Sequence, residues 1–265
     1  MIKAFINGQF EYIKNDNLLI GGSEFAYGRG VYETLRTLNH KPVFLKEHLD
    51  RLLRSTKIMG INIPYSINEI ISRLNSIISD FPNPNQRTRI IVAKNHFIIY
   101  TSKLIIDSTI FNGVHVLTTL TKRNTPELKT TDYCNCLKAW NEAQKSNCFE
   151  AILVDENSDV FEGSRSNVFW IKNEKLITRK DNVLPGVTRQ KIISNTTYPF
   201  EFGNLNVNDF NLIDELFITN SGSGIVPVSH INGAIIGNGA IGEVTRNLLN
   251  DYTKLIKNDI KSACF

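Results

Sequence analysis

FEAILVDENSDVFEGSRSNVFWI, residues 149–171, is the stretch on which the architecture turns. EAILVD is dense in apolar and β-branched residues, ENSD is a short polar turn, and VFEGSRSNVFWI reads as a second strand. Strands this close in the chain fold back antiparallel, because a parallel return needs a long crossover. The pattern continues downstream: a short NEK turn leads into LITR, LPGVTRQKIIS opens a helix, and DELFITN is a strand. GEVTRNLLNDYTKLIK holds a final helix with Val244, Leu248, Tyr252 and Leu255 on one face. Upstream lies a further helix over about 132–146. Short strands joined by hairpins, with few helices between them, predict an antiparallel or mixed sheet and not a doubly wound parallel one.

The first part of the chain reads differently. AFINGQFEY sets two apolar-aromatic arms around Asn7-Gly8, the signal of a type I′ hairpin. YGRGVYETLRTLNHKPVFL follows as a strand pair, and KEHLDRLLRSTKIMG as a helix with Leu45, Leu49, Leu52 and Met59 on one face. INEIISRLNSIISDF is a second amphipathic helix, ended by Pro82 and Pro84. TRIIVAKN, HFIIYTSKL and GVHVLTTL have the composition of strands. The connector TKRNTPE at 121–127 carries charge, Asn and Pro without apolar periodicity, and marks the boundary. The expected fold class is therefore α+β in two α/β lobes, 1–120 and 128–265, with 121–127 as linker.

Composition limits the partners. With 42% hydrophobic and 21% charged residues in 265, this is globular material, and 30 basic against 26 acidic residues leave +4 without a basic block. Nucleic acid and anionic membrane surfaces are set aside on that ground. No apolar run approaches the roughly 18 residues of a spanning helix, and Asn7, Gly8 and Gln9 break the opening as a signal peptide, so the cytoplasm is expected. Four cysteines, Cys134, Cys136, Cys148 and Cys264, are too few for a disulfide framework and lack zinc spacing; they are expected reduced and mostly buried, with no metal site.

Five features bear on chemistry. In LPGVTRQ, Pro185-Gly186 precede a helix start at Val187 and Thr188, whose free N–H groups and dipole suit a phosphate. Thr219 to Gly224 form a small, polar loop able to make an anion nest. Glu162 lies between apolar strand residues and a polar segment, where burial demands a cationic or hydrogen-bonding partner. Arg51 sits beside His48 on a helix flank, and Lys129 follows the connector. Each has a plain alternative, as turn, cap or solvated charge. YGRGVYE is only Gly-x-Gly without a βαβ context, so it supports no dinucleotide site. Together the five ask for one ligand with a phosphate, a basic ring nitrogen and a carbonyl; pyridoxal 5′-phosphate has all three.

LKTTDY, FEAILVDENSDVFEGSRSNVFWI, LPGVTRQ and DELFITNSGSGIVPV, in that order, also resemble the signature blocks of the class IV, fold type IV pyridoxal-phosphate enzymes. That family includes branched-chain and D-amino acid aminotransferases and aminodeoxychorismate lyase. The resemblance runs from FINGQ through YGRGVYETLR and EHLDRL to GEVTR, nearly the whole chain. It implies a D-amino acid aminotransferase-like fold with a barrel-like C-terminal domain, the cofactor in a cleft between lobes, and a homodimer.

By match to the motifs, Lys129 would be the Schiff-base lysine and the acid–base at the substrate's Cα. That role needs an amine neutral for part of the cycle, well below its ordinary pKa of about 10.4. Glu162 would hold the ring nitrogen protonated. Arg51, the Val187–Thr188 helix start and Ser221 would take the phosphate, and Tyr133 the phenolic oxygen. Tyr32, Arg36 and backbone near Gly222 would line the substrate pocket, Tyr32 and Arg36 at positions that in the family often reach into the neighbouring subunit. VAKNHFIIYTSK lacks the family's arginine-containing loop, leaving Lys94 and His96 as its nearest residents. The same machinery serves an aminotransferase, a lyase that releases pyruvate to leave 4-aminobenzoate, or a cofactor-binding protein without chemistry. Tyr133 favours the aminotransferase; the short loop favours the lyase.

Overall fold

The computed structural model describes residues 2–13 and 29–262; Tyr27 and Gly28 of YGRGVYE, and Cys264, lie outside them. The described residues form two units. The first comprises those up to Ile105, with Leu128–Asp132 and those from Ile256; the second comprises Ile106–Glu127 and Tyr133–Leu255.

In the first unit β1 (Ile2–Ile6), β2 (Gln9–Ile13), β3 (Gly30–Leu38), β4 (Lys41–Pro42), β5 (Gln86–Ala93) and β6 (His96–Lys103) form an antiparallel sheet ordered β2-β1-β6-β5-β3-β4. Asn7 and Gly8 both have positive φ, 47° and 104°, as a type I′ turn requires. Helix α1 (Leu45–Ile58) buries Leu45, Leu49 and Leu52 against Val31 and Leu35 of β3, while Met59 caps its end. Helix α2 (Ile67–Asp80) opens on a full capping box, Ser66 with Glu69, and sends Ile70, Leu74, Ile77 and Ile78 into the same core.

The second unit is a mixed sheet of β7 (Val114–Leu120), β8 (Glu150–Val154), β9 (Val160–Gly163), β10 (Asn167–Lys172), β11 (Lys175–Thr178), β12 (Phe200–Phe202), β13 (Glu215–Asn220), β14 (Gly224–Ile231) and β15 (Ala234–Ile235). Its order is β12-β11-β10-β13-β14-β7-β8-β9, with β15 on β14. Helix α3 (Cys134–Lys145) packs on β8, α4 (Val187–Asn195) on β13, and α5 (Glu243–Ser262) ends the chain. VFEGSRSNVFWI is thus two strands, not one. The turn at 164–166 joins β9, at one end of the sheet, to β10, with β13, β14, β7 and β8 between them in the order. A connection so short across so many strands requires the sheet to curl back on itself.

Two expectations need correction. GVHVLTTL belongs to the second unit, because β7 pairs in parallel with both β8 and β14. The division therefore does not fall at 120/128: the connector stays with the second unit, and 128–132 returns to pair with β3 through Val31 and Thr130. Long-range parallel partners leave no local mark in a sequence. The cysteines also differ from expectation, since Cys136 is buried but Cys134 is exposed and Cys148 intermediate, all three free. No described helix is long and apolar enough to cross a membrane.

Helix α5 buries Thr245, Leu248, Tyr252, Ile256 and Ile260, a stripe shifted slightly from the one expected. Its first turn is capped from β13: Glu215 accepts from the N–H groups of Val244 (3.0 Å) and Thr245 (2.7 Å). A side chain on Gly242 would collide with that carboxylate. Glu215→Ala is expected to cost about 1–2 kcal/mol, from the lost cap and its favourable charge at the helix start. Urea denaturation checks this, and an unchanged midpoint would assign the helix start to other contacts.

Candidate active site

In the first unit Lys129 is fixed by its backbone. Its carbonyl accepts from Tyr32 N–H (2.9 Å), Thr131 N–H donates to the Gly30 carbonyl (2.8 Å), and Gly30 N–H donates to Thr131 Oγ1 (3.2 Å). The segment acts as a short extra strand on β3. Its side chain turns over the Tyr32 ring, Nζ 4.6 Å from the centroid. Tyr32 therefore stands beside the lysine of its own chain.

Strand β3 alternates Val31, Glu33, Leu35 and Thr37 inward, which drives a carboxylate into the apolar face. Helix α1 answers it. Arg51 binds Glu33 with Nε and Nη2, both at 2.7 Å, and His48 Nδ1 lies 2.8 Å from Oε2; all three side chains are buried. Burial pushes the Glu33 pKa up, but the charge and hydrogen bonds of Arg51, with a hydrogen bond from His48, outweigh it and hold the group at about 2. His48 is lowered, chiefly by burial and against the pull of Glu33, with the Lys129 charge adding in the same direction. It is thus a neutral imidazole donating from Nδ1. Arg51 is not the solvated helix charge its flank position allowed.

On the opposite face of the sheet Arg36 follows Tyr32 along β3, and Arg89 of β5 donates from Nη1 to Tyr100 Oη at 3.3 Å. Arg89 Nε is buried without a hydrogen-bond partner among the described residues. Lys94 is exposed at the β5–β6 turn and His96 half-buried beside it.

In the second unit Glu162, 2% exposed, has the cationic partner its burial demands: Arg123 Nε donates to Oε1 at 3.0 Å. Oε2 accepts from Leu184 N–H (3.1 Å) and more distantly from Asn167 Nδ2 (3.5 Å), which also donates to the Leu184 carbonyl (2.8 Å). Through Leu184 the carboxylate is tied to the loop that opens α4. That helix starts at Gly186 with no side-chain cap, and Val187 and Thr188 are buried. A Cβ on Gly186 would strike Asn167 Oδ1, so only glycine allows this approach.

Two hydroxyls of this unit have partners. Thr188 Oγ1 pairs with Tyr252 Oη at 3.1 Å. Tyr133 Oη donates to the Ser164 carbonyl at 3.3 Å, a long bond it must release to donate to a cofactor. The 221–223 turn is also partly closed, with the N–H groups of Gly222 and Ser223 on Asn220 Oδ1 (2.9 and 2.8 Å). Just before it, Thr219 Oγ1 is buried without a hydrogen-bond partner among the described residues.

Sequence reasoning passed over Arg123, Glu33, Asn167 and Arg89. Only Glu33 carried a signal, a carboxylate in phase with the inward residues of its strand. Arg123 sits in a stretch that reads as linker.

Residues 30–231 match the family model described as amino-transferase class IV. A D-alanine aminotransferase of Staphylococcus epidermidis is 28% identical over 97% of this chain and 99% of its own. An Arabidopsis thaliana protein named branched-chain-amino-acid aminotransferase-like protein 2 is 30% identical over 86% of this chain and 45% of its own. The fold is shared with a T.th. branched-chain amino acid aminotransferase solved with pyridoxamine 5′-phosphate: TM-score 0.85 at 22% identity, over 97% of this chain and 94% of that one. A family match across most of the chain, on a curled mixed sheet of the same fold, settles the class: this chain belongs to the class IV aminotransferases, pyridoxal phosphate-dependent enzymes that transfer an amino group between an amino acid and a 2-oxo acid.

Proposed function

We propose that Lys129 is the catalytic residue of this aminotransferase and that its donors are aliphatic amino acids, the feature common to the D-alanine and branched-chain names of its relatives. The observation that carries the reading is Glu162, a buried carboxylate paired with Arg123 and linked through Leu184 to a buried, uncapped helix start. A protonated ring nitrogen suits the first and a phosphate the second, and the Thr219 hydroxyl, unpartnered among the described residues, adds a donor for the phosphate.

Pyridoxal phosphate, when bound, supplies a carbonyl for an amine and a ring that accepts the electrons released at the substrate's Cα. The chain's residues do the rest. Lys129 would hold the cofactor through Nζ and would carry the substrate's Cα proton. Glu162 would face the ring nitrogen with its carboxylate. By the family resemblance the Val187 and Thr188 N–H groups, Ser221 and Arg51 would take the phosphate. Tyr133 hydrogen-bonds the phenolic oxygen after leaving Ser164. Tyr32, Arg36 and Gly222 would line the substrate side by the family resemblance, and Arg36 and Arg89 would be the cations for its carboxylate. The free cysteines fit a reducing cytoplasm, and the family resemblance supports a homodimer.

The test is the visible spectrum of cofactor-loaded protein, before and after single aliphatic amino acids of the L and D series. Loss of the yellow band with one series is expected and identifies the stereochemistry. A yellow protein that no amino acid bleaches would shift the reading to the lyase chemistry, and a colourless one would overturn it.

A further inference from the structure

We propose that Glu150, at the start of β8, is a positioning residue that sets the polar surroundings of the cofactor ring; the inference rests on the function proposed above. Glu150 is 1% exposed and belongs to none of the described ion pairs. Its carboxylate instead receives four hydrogen bonds. Ser164 Oγ and Ala151 N–H (3.0 Å) donate to Oε1, and Ser166 Oγ (3.0 Å) and Arg165 N–H (3.2 Å) to Oε2. Two donors converge on each carboxylate oxygen, so all four contacts use it as an acceptor.

Burying a carboxyl group to hold an ordinary turn is poor economy, since apolar packing holds it without the desolvation penalty. This turn, however, carries the groups around Glu162. The Ser164 carbonyl accepts from both Tyr133 Oη and Arg123 Nη2, each at 3.3 Å, and Arg123 is the partner of Glu162. Asn167, next after Ser166, bonds Glu162 and the Leu184 carbonyl. Ser164 N–H also donates to the Ala151 carbonyl, and Gly163 N–H to that of Ser166, both at 2.8 Å. A Cβ on Gly163 would strike Ser166 Oγ, so the turn has no slack. Glu150 thus aims one carbonyl at two residues, one reaching the phenolic oxygen and one fixing the group that faces the ring nitrogen.

Glu150→Gln tests this with little change of shape, because its amide puts N–H groups where two donors already converge. Three readouts are taken on the cofactor-loaded protein: the pH at which its visible band titrates, kcat, and KM for the amino acid. The midpoint is expected to move by roughly one pH unit, with kcat down roughly tenfold to a hundredfold and KM within about twofold. A purely structural carboxylate would lower thermal stability and leave the midpoint in place, which overturns the proposal. Should Glu150→Gln fail to fold, Ser164→Ala and Ser166→Ala remove one donor each and keep the carbonyl. A smaller midpoint shift in both supports the proposal, and none in either overturns it. A wild-type protein without a visible band overturns the parent reading and this one with it, whereas a wild-type band that no variant moves overturns this one alone.

Discussion

Lys129→Ala is expected to lower amino transfer by at least ~10⁴-fold, since it removes both the covalent anchor and the proton carrier. Its fold should survive. The contacts that place residue 129 are backbone ones, to Tyr32 and through Thr131 to Gly30, and alanine keeps them. The lost cation–π contact with Tyr32 is worth about 0.5–1 kcal/mol. The variant should therefore bind cofactor reversibly, without the wild-type visible band, and unfold within a few degrees of wild type. Retained turnover would remove Lys129 from the mechanism, and a grossly unstable variant would move its importance from chemistry to folding.

The second large effect concerns stability. Glu33→Gln is expected to cost about 3–5 kcal/mol near neutral pH, because it leaves Arg51 buried with its bidentate partner gone. The pH dependence carries a sign. Glu33 has a folded pKa of about 2 against an ordinary 4.5, so its contribution is complete above about pH 4.5 and is lost as pH falls toward 2. His48 works in the same direction, because its lowered pKa makes the fold prefer it neutral, and its contribution is lost as pH falls below its ordinary 6.5. Wild-type stability should therefore fall steeply on acidification, while Glu33→Gln starts lower and flattens between about pH 4.5 and 2. Equal slopes in a urea series over that range would show that the acid sensitivity lies elsewhere.

The proposed site residues were legible because their demands are local. A proline and a glycine before Val187 announce a helix start, and an acidic residue among apolar ones at 162 announces a buried charge seeking a partner. The leucine stripe of α1, the Asn7-Gly8 turn and the hairpins of the second unit follow from periodicities of 3.6 and 2 and from turn chemistry. What these positions attach to was not legible. Arg123 reads as linker until the curl of the sheet brings Glu162 within 3.0 Å, and Arg51 reads as a solvated helix charge until β3 turns Glu33 inward beneath it. Glu150 looks like the ordinary opening of a strand, and only the fold gives it four donors. Local pattern marked most of the strands and helices and the places where charge must be buried, because backbone preference and solvation act over a few neighbouring residues. The tertiary structure alone decided the parallel neighbours of β7, the return of 128–132 to β3 and the partner of each buried ion, because those depend on groups brought together from far apart in the chain.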